Sequence, residues 1–590
     1  MQLNKEQQEA VRNVVGPSVI LAGAGSGKTR VLIQKVLYMI EHAGVSPRQI
    51  LMITFTNKAA LEMKKRMGEV KLGFVGTFHA FCARMLRIEG DRLGLSPDFV
   101  IYDEADQLQL IKSIIKKMHT QFSPGYFLNR ISTAKNELIP PESYRSIFSD
   151  YSAEVVADVY EQYQKKLRSN TAVDFDDLLV LAHQLLKQSE EVRGKYQRTF
   201  THILIDEFQD TNTAQYQIAS LLAGTAQNIT VVGDFSQSIY SWRGADIRNL
   251  EKFKKDFENC KEFYLEQNYR STQQILDYAY SVISQNTTHP ILQLRATSKS
   301  GEEVIVYEAF DEQDESFFVI DEIKRSMRMD PEATLGVLYR TNAQSRIIEE
   351  TFLHEAVPYV LIGGTRFYER KEVKDVLAYL RCLVNPNDEL SVERAQKIGK
   401  TRYKKLQSVY LEMKDRVKDI PTAELMEQVF QATGYLDLYN VNDPEDYSRL
   451  ENIKELKSVA LRFPLVVEFL EQVALVESEY SEQEKQKHSD KTAKPGVNLM
   501  TLHQAKGLEF DYVWIVGLEE GLLPHARSID DLFQLEEERR LFYVGITRAR
   551  KKLYITHARR RFIFGRRGET MKSRFLGGET VERIEDPSWE

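Results

Sequence analysis

A run of small residues, AGAGSGKT from Ala22 to Thr29, constrains this chain more than any other feature. It follows the apolar stretch SVIL and precedes the helical pattern TRVLIQKVLYMI. A strand that passes through such a loop into a helix lets backbone N–H groups wrap a phosphate at the helix N-terminus. In that arrangement Lys28 offsets β/γ-phosphate charge and Thr29 is a Mg²⁺ ligand. The first position is Ala22 where the strict pattern has Gly, and a Gly-rich turn with an incidental lysine has a similar composition. A second motif has to decide.

That motif is ILIDEFQD at 203–210, which sets Asp206 and Glu207 at the end of a buried strand, where an unpaired carboxylate is costly. In a nucleotide hydrolase the Asp holds Mg²⁺ and the Glu orients and deprotonates the attacking water. A solvated strand end is the plainer alternative, and the phosphate loop upstream weighs against it. Further on, VVGDFSQSIYSWRGA supplies Gln237, whose amide has the donor and acceptor needed to sense a γ-phosphate or its water. Tyr240, Trp242 and Arg243 follow at once, which suggests that the sensing is wired to something else.

Short apolar runs ending in Gly or Asp recur at 18–25, 50–57, 202–208 and 229–235. Doubly buried parallel strands read this way, so an α/β core is expected with function at the strand carboxyl ends. Between Phe81 and about Phe200 the pattern is helical and charged. After Arg270 a second strand and helix series begins with EEVIVYEAF, TLGVLYRTN and VNLMTLHQAKGLEFDYVWIVGL. It is interrupted at 385–495 by a mostly helical stretch ending in SEYSEQEKQKHSDKTAKPG, which has little to bury and is expected to be a flexible linker.

The 590 residues carry 79 Lys plus Arg against 86 Asp plus Glu, a formal charge of −7, so the overall balance advertises no polyanion partner. Basic surface has to be local. Between Arg539 and Arg574 it is dense, with Arg550, Lys551, Lys552, Arg559, Arg560, Arg561, Arg566 and Arg567 and Glu569 as the only acid, a pattern that favours phosphates. Cys82, Cys260 and Cys382 lie far apart in no C-x-x-C spacing, which argues against a zinc site, an iron–sulfur cluster or a disulfide framework. The start MQLNKEQQEAV is too polar for a signal peptide and no apolar run is long enough to cross a bilayer, so a cytoplasmic protein is expected.

Together with LNKEQQEAV, ITFTNKAALEMKKR, GTFHAFC, LEQNYRST, VLYRTNAQSR, TLHQAKGLEFDYVWIVGLEEGLLP and EEERRLFYVGITRAR, these motifs resemble the UvrD/Rep (PcrA-like) family of superfamily 1 DNA helicases, in the family order over nearly the whole chain. The resemblance implies an α/β fold of two RecA-like P-loop motor domains, each interrupted by a mainly helical insertion, with ATP between them. The first motor is then 1–85 and 191–272 with its insertion at 86–190. The second is 273–384 and 496–580, with a shortened insertion and linker at 385–495 and a tail at 581–590.

The same resemblance implies roles for single residues. Gln7 reads the adenine edge, Ala22, Gly23, Ala24, Gly25, Ser26, Gly27, Lys28 and Thr29 form the phosphate loop, Arg30 and Tyr269 flank the base, and Glu509 approaches the ribose. Lys28, Asp206, Glu207, Gln237, Arg270 and Arg548 form the catalytic set, the last two as arginine fingers, with Thr29 and Asp206 on Mg²⁺. Single-stranded DNA runs past Phe55, Asn57, His79, Tyr240, Trp242 and Arg243 in the first motor and Thr501 and His503 in the second. RRFIFGRRG resembles a strand-separating hairpin with Phe564 at its tip. Taken singly, Phe55, Phe78 and Tyr269 also read as core aromatics, and His503 as a structural histidine.

The implied activity is ATP-dependent, Mg²⁺-requiring 3′-to-5′ unwinding of DNA and translocation on single strands in repair, replication or recombination. Its partners are single-stranded DNA and single-to-double-strand junctions, not membranes, and the expected state is a monomer or weak dimer in a bacterial cytosol, associated with the nucleoid. Several departures stand out. Ser241 occupies a position that is commonly basic in the family. The second insertion is shorter than usual, and its Gly-Ile-Gly element survives only as QKIGKTRYKKL, with Lys397 at the first glycine. The chain stops soon after SRFLGG at 573–578, so recruitment through a longer extension is not expected, and no segment is left over for a nuclease. Two rivals remain open: a translocase that strips proteins from single strands with little unwinding, which the reduced insertion favours, and an ATP-gated nucleic-acid clamp, against which the complete catalytic set argues.

Overall fold

The computed structural model describes residues 3–118, 120, 122–297, 301–441, 443–489, 496–563, 566–576 and 581–585. It divides into two units, Met1–Arg270 with Asn286–Thr297, and Ser271–Gln285 with Ser298–Glu590.

In the first unit the apolar runs become strands because both of their faces find cover. Val19 and Leu21, Leu51 and Ile53, and Ile203 and Ile205 enter one apolar cluster. Their alternates Ile20, Met52 and Leu204 enter a second, against Val31, Val36 and Met63. A strand's period of two thus fills both sides of a sheet, and this forces continuous rather than alternating hydrophobicity. Six strands result, in the spatial order Phe74–Gly76, Ile50–Ile53, His202–Ile205, Ile229–Gly233, Ser18–Ala22 and Lys261–Leu265. All neighbours are parallel. The strands that carry the two nucleotide motifs, Ser18–Ala22 and His202–Ile205, flank Ile229–Gly233, so their carboxyl ends face the same crevice.

The stretch at 86–190 is mainly helical, with helices such as Glu104–Ile115, Pro124–Asn136, Ala153–Ser169 and Phe175–Gln188. Ile111, Phe127, Ile131, Val156 and Tyr163 give it an apolar cluster of its own.

The second unit repeats the architecture. Its seven parallel strands are ordered Tyr359–Leu361, Val497–Thr501, Leu335–Tyr339, Phe510–Ile515, Ala549–Ala558, Val304–Ala309 and Val581–Glu585. Both units therefore have the RecA-like α/β organisation. Where a tail is expected, Val581–Glu585 pairs with Val304–Ala309 as the edge strand.

One further expectation needs correcting. The supposed linker continues helix Val466–Ser489 for most of its length. Its Glu, Gln and Lys residues are polar but good helix formers, and no proline interrupts them before Pro495. The second insertion shares its apolar core with the sheet. Leu406, Phe430, Leu456 and Val476 belong to the same apolar cluster as Val337, Tyr339 and Trp514 of the sheet. The QKIGKTRYKKL segment is the junction at Gly399 between helices Glu389–Ile398 and Lys400–Met413, with Lys397 paired to Glu393 on the surface.

Candidate functional site

The phosphate loop is shaped by what its glycines permit. Gly25 (φ 67°) and Gly27 (φ 85°) take left-handed backbone that side chains avoid. A Cβ on Gly25 would lie 2.7 Å from Asn268 Nδ2 and 2.8 Å from Arg270 Cβ. Ala22, by contrast, ends its strand in extended backbone with no exposure, which explains why this position tolerates a methyl group where the strict pattern has glycine. Gly27 caps helix Lys28–Glu41 without any side-chain cap, so the helix opens with its backbone donors uncovered by side chains.

The loop is braced from three sides. Ser26 Oγ donates to Gly23 O at 2.8 Å. Asn268 Nδ2 donates to Ala24 O at 2.6 Å, and the Tyr269 N–H to Gly25 O at 3.0 Å. Gln7, buried in the capping box of helix Lys5–Arg12, donates its Nε2 to Ser26 O at 2.9 Å and accepts the Asn4 N–H at 3.1 Å. Gln7 and Tyr269, expected at the base, are thus both brought to the loop. Tyr269 OH in turn donates to Gln267 Oε1 at 3.3 Å. Thr29 and Arg30 sit half-buried in the first turn of the helix.

Across the crevice, Asp206 is 5 % exposed and its Oδ1 is buried without a hydrogen-bond partner. Burial, then the charge of Glu207, pushes its carboxyl up to about 7, while Lys28 pulls the other way. An unpaired buried carboxylate oxygen beside an ammonium and a threonine-bearing helix start is what a divalent cation on a phosphate needs. Glu207 has left-handed backbone (φ 51°), unusual for a side chain of this size, and its Oε2 stands 3.9 Å from Lys28 Nζ. The strain is of the kind that re-aims a functional group.

Gln237 lies in the turn after Ile229–Gly233 and donates its Nε2 to Asp234 Oδ2 at 2.6 Å. Two residues given no role from the sequence complete this set. Gln209 is fully buried, donates its Nε2 to Glu207 Oε2 at 2.5 Å and accepts the Asp234 N–H at 3.1 Å. Asp234, raised by burial, accepts from both Gln237 and the Ser236 N–H. The signal for both was present, since polar residues inside IDEFQD and VVGDF have no reason to be buried unless they bond to one another.

The aromatic residues form a shelf on the same unit. Phe55 stacks on Tyr240 with centroids 5.6 Å apart and planes 11° apart, and Tyr240 meets Trp242 edge-on at 6.5 Å. The Arg243 guanidinium lies over the Trp242 ring at 4.5 Å. Trp242 is 51 % exposed, a large apolar surface offered to solvent. Phe55 is half-buried, whereas Phe78 is a core residue, as its plainer reading held. Asn57 is exposed at the start of helix Asn57–Met67. His79 packs edge-on to Phe175 at 6.1 Å, and burial lowers its pKa, which favours the neutral ring.

In the second unit, Arg548 is 2 % exposed, with its guanidinium donating to Val544 O, Leu508 O and Thr547 Oγ1 at 2.8, 3.1 and 3.0 Å. Glu509 pairs with Arg550. Thr501 ends its strand and bonds with Gln504, and His503 is half-buried in the following turn. Phe564 lies outside the described residues.

The basic run at 539–574 is corrected by the tertiary structure. Arg561 is buried between Glu315 and Glu519, Arg559 pairs with Glu308, Lys551 with Asp330 and Asp511, Lys552 with Glu302, and Arg574 with Glu520. The missing acids come from other parts of the unit; Arg561 is enclosed with its partners, whereas Arg559, Lys551 and Arg574 stay partly exposed in their pairs. Among the described residues no helix is long and apolar enough to cross a membrane.

The family model for the UvrD/REP helicase N-terminal domain matches residues 3–258, and that for the UvrD-like helicase C-terminal domain matches 263–432 and 426–560. The chain is similar to proteins named ATP-dependent DNA helicase PcrA from Staphylococcus epidermidis and Staphylococcus aureus. It is 41 % identical to each over an alignment that covers 97 % of this chain and 86 % of each relative.

Proposed function

Since this chain belongs to the UvrD/Rep helicase family, PcrA-like branch, we propose that it is an ATP-dependent 3′-to-5′ DNA helicase that translocates on single strands in repair, replication or recombination. The observation that carries the reading is the continuity between the nucleotide crevice and the aromatic shelf. Glu207, Gln209, Asp234 and Gln237 are hydrogen-bonded in series, and the chain leaves Gln237 directly into Tyr240, Trp242 and Arg243.

In this reading Lys28 and the loop amides hold the β- and γ-phosphates, Gln7, Arg30 and Tyr269 hold the base, and Glu509 meets the ribose. Glu207 orients the attacking water and takes its proton, with Gln209 fixing the carboxylate. Gln237 reports the γ-phosphate, and Arg270 and Arg548 offset the charge that develops on it. Thr29 and Asp206 would hold Mg²⁺, and the orphaned Asp206 Oδ1 fits that role. When bound, the ion neutralises phosphate charge and polarises the γ-phosphoryl group. Phe55, Tyr240 and Trp242 stack on bases of any sequence, while Asn57, His79, Arg243, Thr501 and His503 contact the strand and Phe564 caps the fork. The partners are single-stranded DNA and its junctions with duplex, and the compartment is the bacterial cytosol around the nucleoid.

The test is strand displacement on duplexes with a 3′ tail, a 5′ tail or no tail, with ATP turnover followed alongside and Glu207→Gln as the control. Displacement from the 3′-tailed substrate alone, lost in the variant, is the expected outcome. DNA-stimulated turnover without displacement would instead favour a protein-stripping translocase. That second reading draws support from the second insertion, which shares its core with the motor sheet.

A further inference from the structure

Helix Pro124–Asn136 of the first insertion ends in two residues with different surroundings. Lys135 is 1 % exposed, with its Nζ 2.6 Å from Asp174 Oδ2 and 2.8 Å from Asp177 Oδ1. Tyr163 OH also donates to Asp174 at 2.9 Å, and Gln164 Nε2 to Asp177 at 2.9 Å. A buried ammonium with two hydrogen-bonded carboxylates fixes the end of this helix, because any displacement would strand a charge in the interior.

The next residue reaches the motor. Asn136 Oδ1 accepts from Asn212 Nδ2 at 2.5 Å, while its own Nδ2 donates to Ser132 O at 2.9 Å. Asn212 caps helix Thr213–Ala223 with its Oδ1 and stands in the segment that follows Glu207. On its other side Asn136 lies against the aromatic turn, since a Cβ on Gly244 would come within 3.3 Å of Asn136 Cβ and 3.5 Å of its Cγ. The two segments that Asn136 touches are themselves joined. Thr211 O accepts the Asp246 N–H at 3.0 Å and Asn249 Nδ2 at 2.9 Å.

We propose that Asn136 is a positioning residue that links the state of the nucleotide crevice to the aromatic turn at Tyr240–Gly244, with Lys135 as the fixed point against which both move. The proposal rests on the helicase reading for its purpose but not for its geometry. A movement of the Glu207–Asn212 segment reaches the Trp242 turn both through Thr211 and through Asn136. The second route is tied to the insertion, and it gives the turn something rigid to move against.

The experiment compares wild type, Asn136→Ala and Asn136→Asp. The aspartate keeps an acceptor for Asn212 Nδ2, so it controls for loss of fold. Turnover of ATP is measured with and without oligo(dT). In Asn136→Ala, turnover without DNA is expected to stay at the wild-type level, whereas the DNA-stimulated part falls by at least about 5-fold, the lower end of ordinary site-to-site coupling, and Asn136→Asp restores it. A second readout needs no DNA: amide hydrogen exchange across 240–249 with and without Mg²⁺ and adenylyl imidodiphosphate. Exchange there is expected to respond to the nucleotide in wild type and Asn136→Asp and not in Asn136→Ala. A response that persists in Asn136→Ala, that is absent from wild type, or that Asn136→Asp fails to restore overturns the proposal, as does a proportional loss of basal and stimulated turnover. Wild-type turnover that ignores DNA, combined with the expected exchange pattern, removes the helicase reading and leaves the link standing.

Discussion

Gln209 donates its Nε2 to Glu207 Oε2 at 2.5 Å and accepts the Asp234 N–H on its Oε1 at 3.1 Å, so one buried amide ties the ends of two adjacent strands together. The carboxylate proposed as base is thereby held at a set distance from the turn that carries Gln237. Replacing Gln209 with Ala is expected to lower kcat for ATP by up to about 10²-fold through misplacement, with KM little changed. Glu207→Gln removes the base itself and is expected to cost about 10²–10⁴-fold. Steady-state turnover of the two variants measures the difference, and a large rise in KM for Gln209→Ala would contradict it.

The raised Asp206 carboxyl makes a paired prediction about pH. Its folded-state pKa of about 7 stands above the ordinary 3.8, so the stability it contributes is full below about 3.8 and is lost as pH rises through about 7. In the absence of nucleotide and Mg²⁺, Asp206→Asn is therefore expected to raise Tm much more at pH 8 than at pH 4.5, while abolishing turnover at both. In the wild type Mg²⁺ requires the ionised form, so the Mg²⁺ concentration for half-maximal turnover is expected to rise as pH falls below about 7. Thermal melts and Mg²⁺ titrations at three pH values suffice to check both signs.

The aromatic shelf is expected to grip any base. Trp242→Ala and Tyr240→Ala should each weaken single-stranded DNA binding by about 1–3 kcal/mol, equally for oligo(dT) and mixed sequence. Phe55→Ala removes a base-stacking ring and also its stacking on Tyr240, and should weaken binding within the same range. Fluorescence anisotropy with the two oligonucleotides measures this, and a strong sequence dependence would count against stacking as the source of grip.

Arg561 should behave as a structural residue although its sequence context advertises phosphate binding. Its guanidinium joins Glu315 at 2.6 Å and also meets Glu519, and removing it leaves two buried carboxylates held by neutral donors, among them the Gly517 and Ala558 N–H groups, without the guanidinium charge. Arg561→Ala is expected to destabilise the second unit by about 3–5 kcal/mol. The DNA affinity of the remaining folded protein, and its salt dependence, should stay close to wild type in filter-binding measurements.

The sequence by itself determined the two sheets, since continuous apolar runs need cover on both faces, and it determined the phosphate loop and the carboxylate pair, whose chemistry is written in adjacent residues. Tertiary structure decided what depends on partners distant along the chain. The 539–574 run reads as a phosphate patch until Glu302, Glu308, Glu315, Glu519 and Glu520 arrive from other segments to neutralise it. Likewise a polar stretch expected to be slack continues a helix through Ser489, because composition reports what a segment cannot bury but not whether its backbone can still hydrogen-bond within itself. Gln209 and Asn136 belong to the same class. Sequence can place an amide inside a buried run, as it does for Gln209, but the role exists only once folding fixes which donor and which acceptor the amide faces.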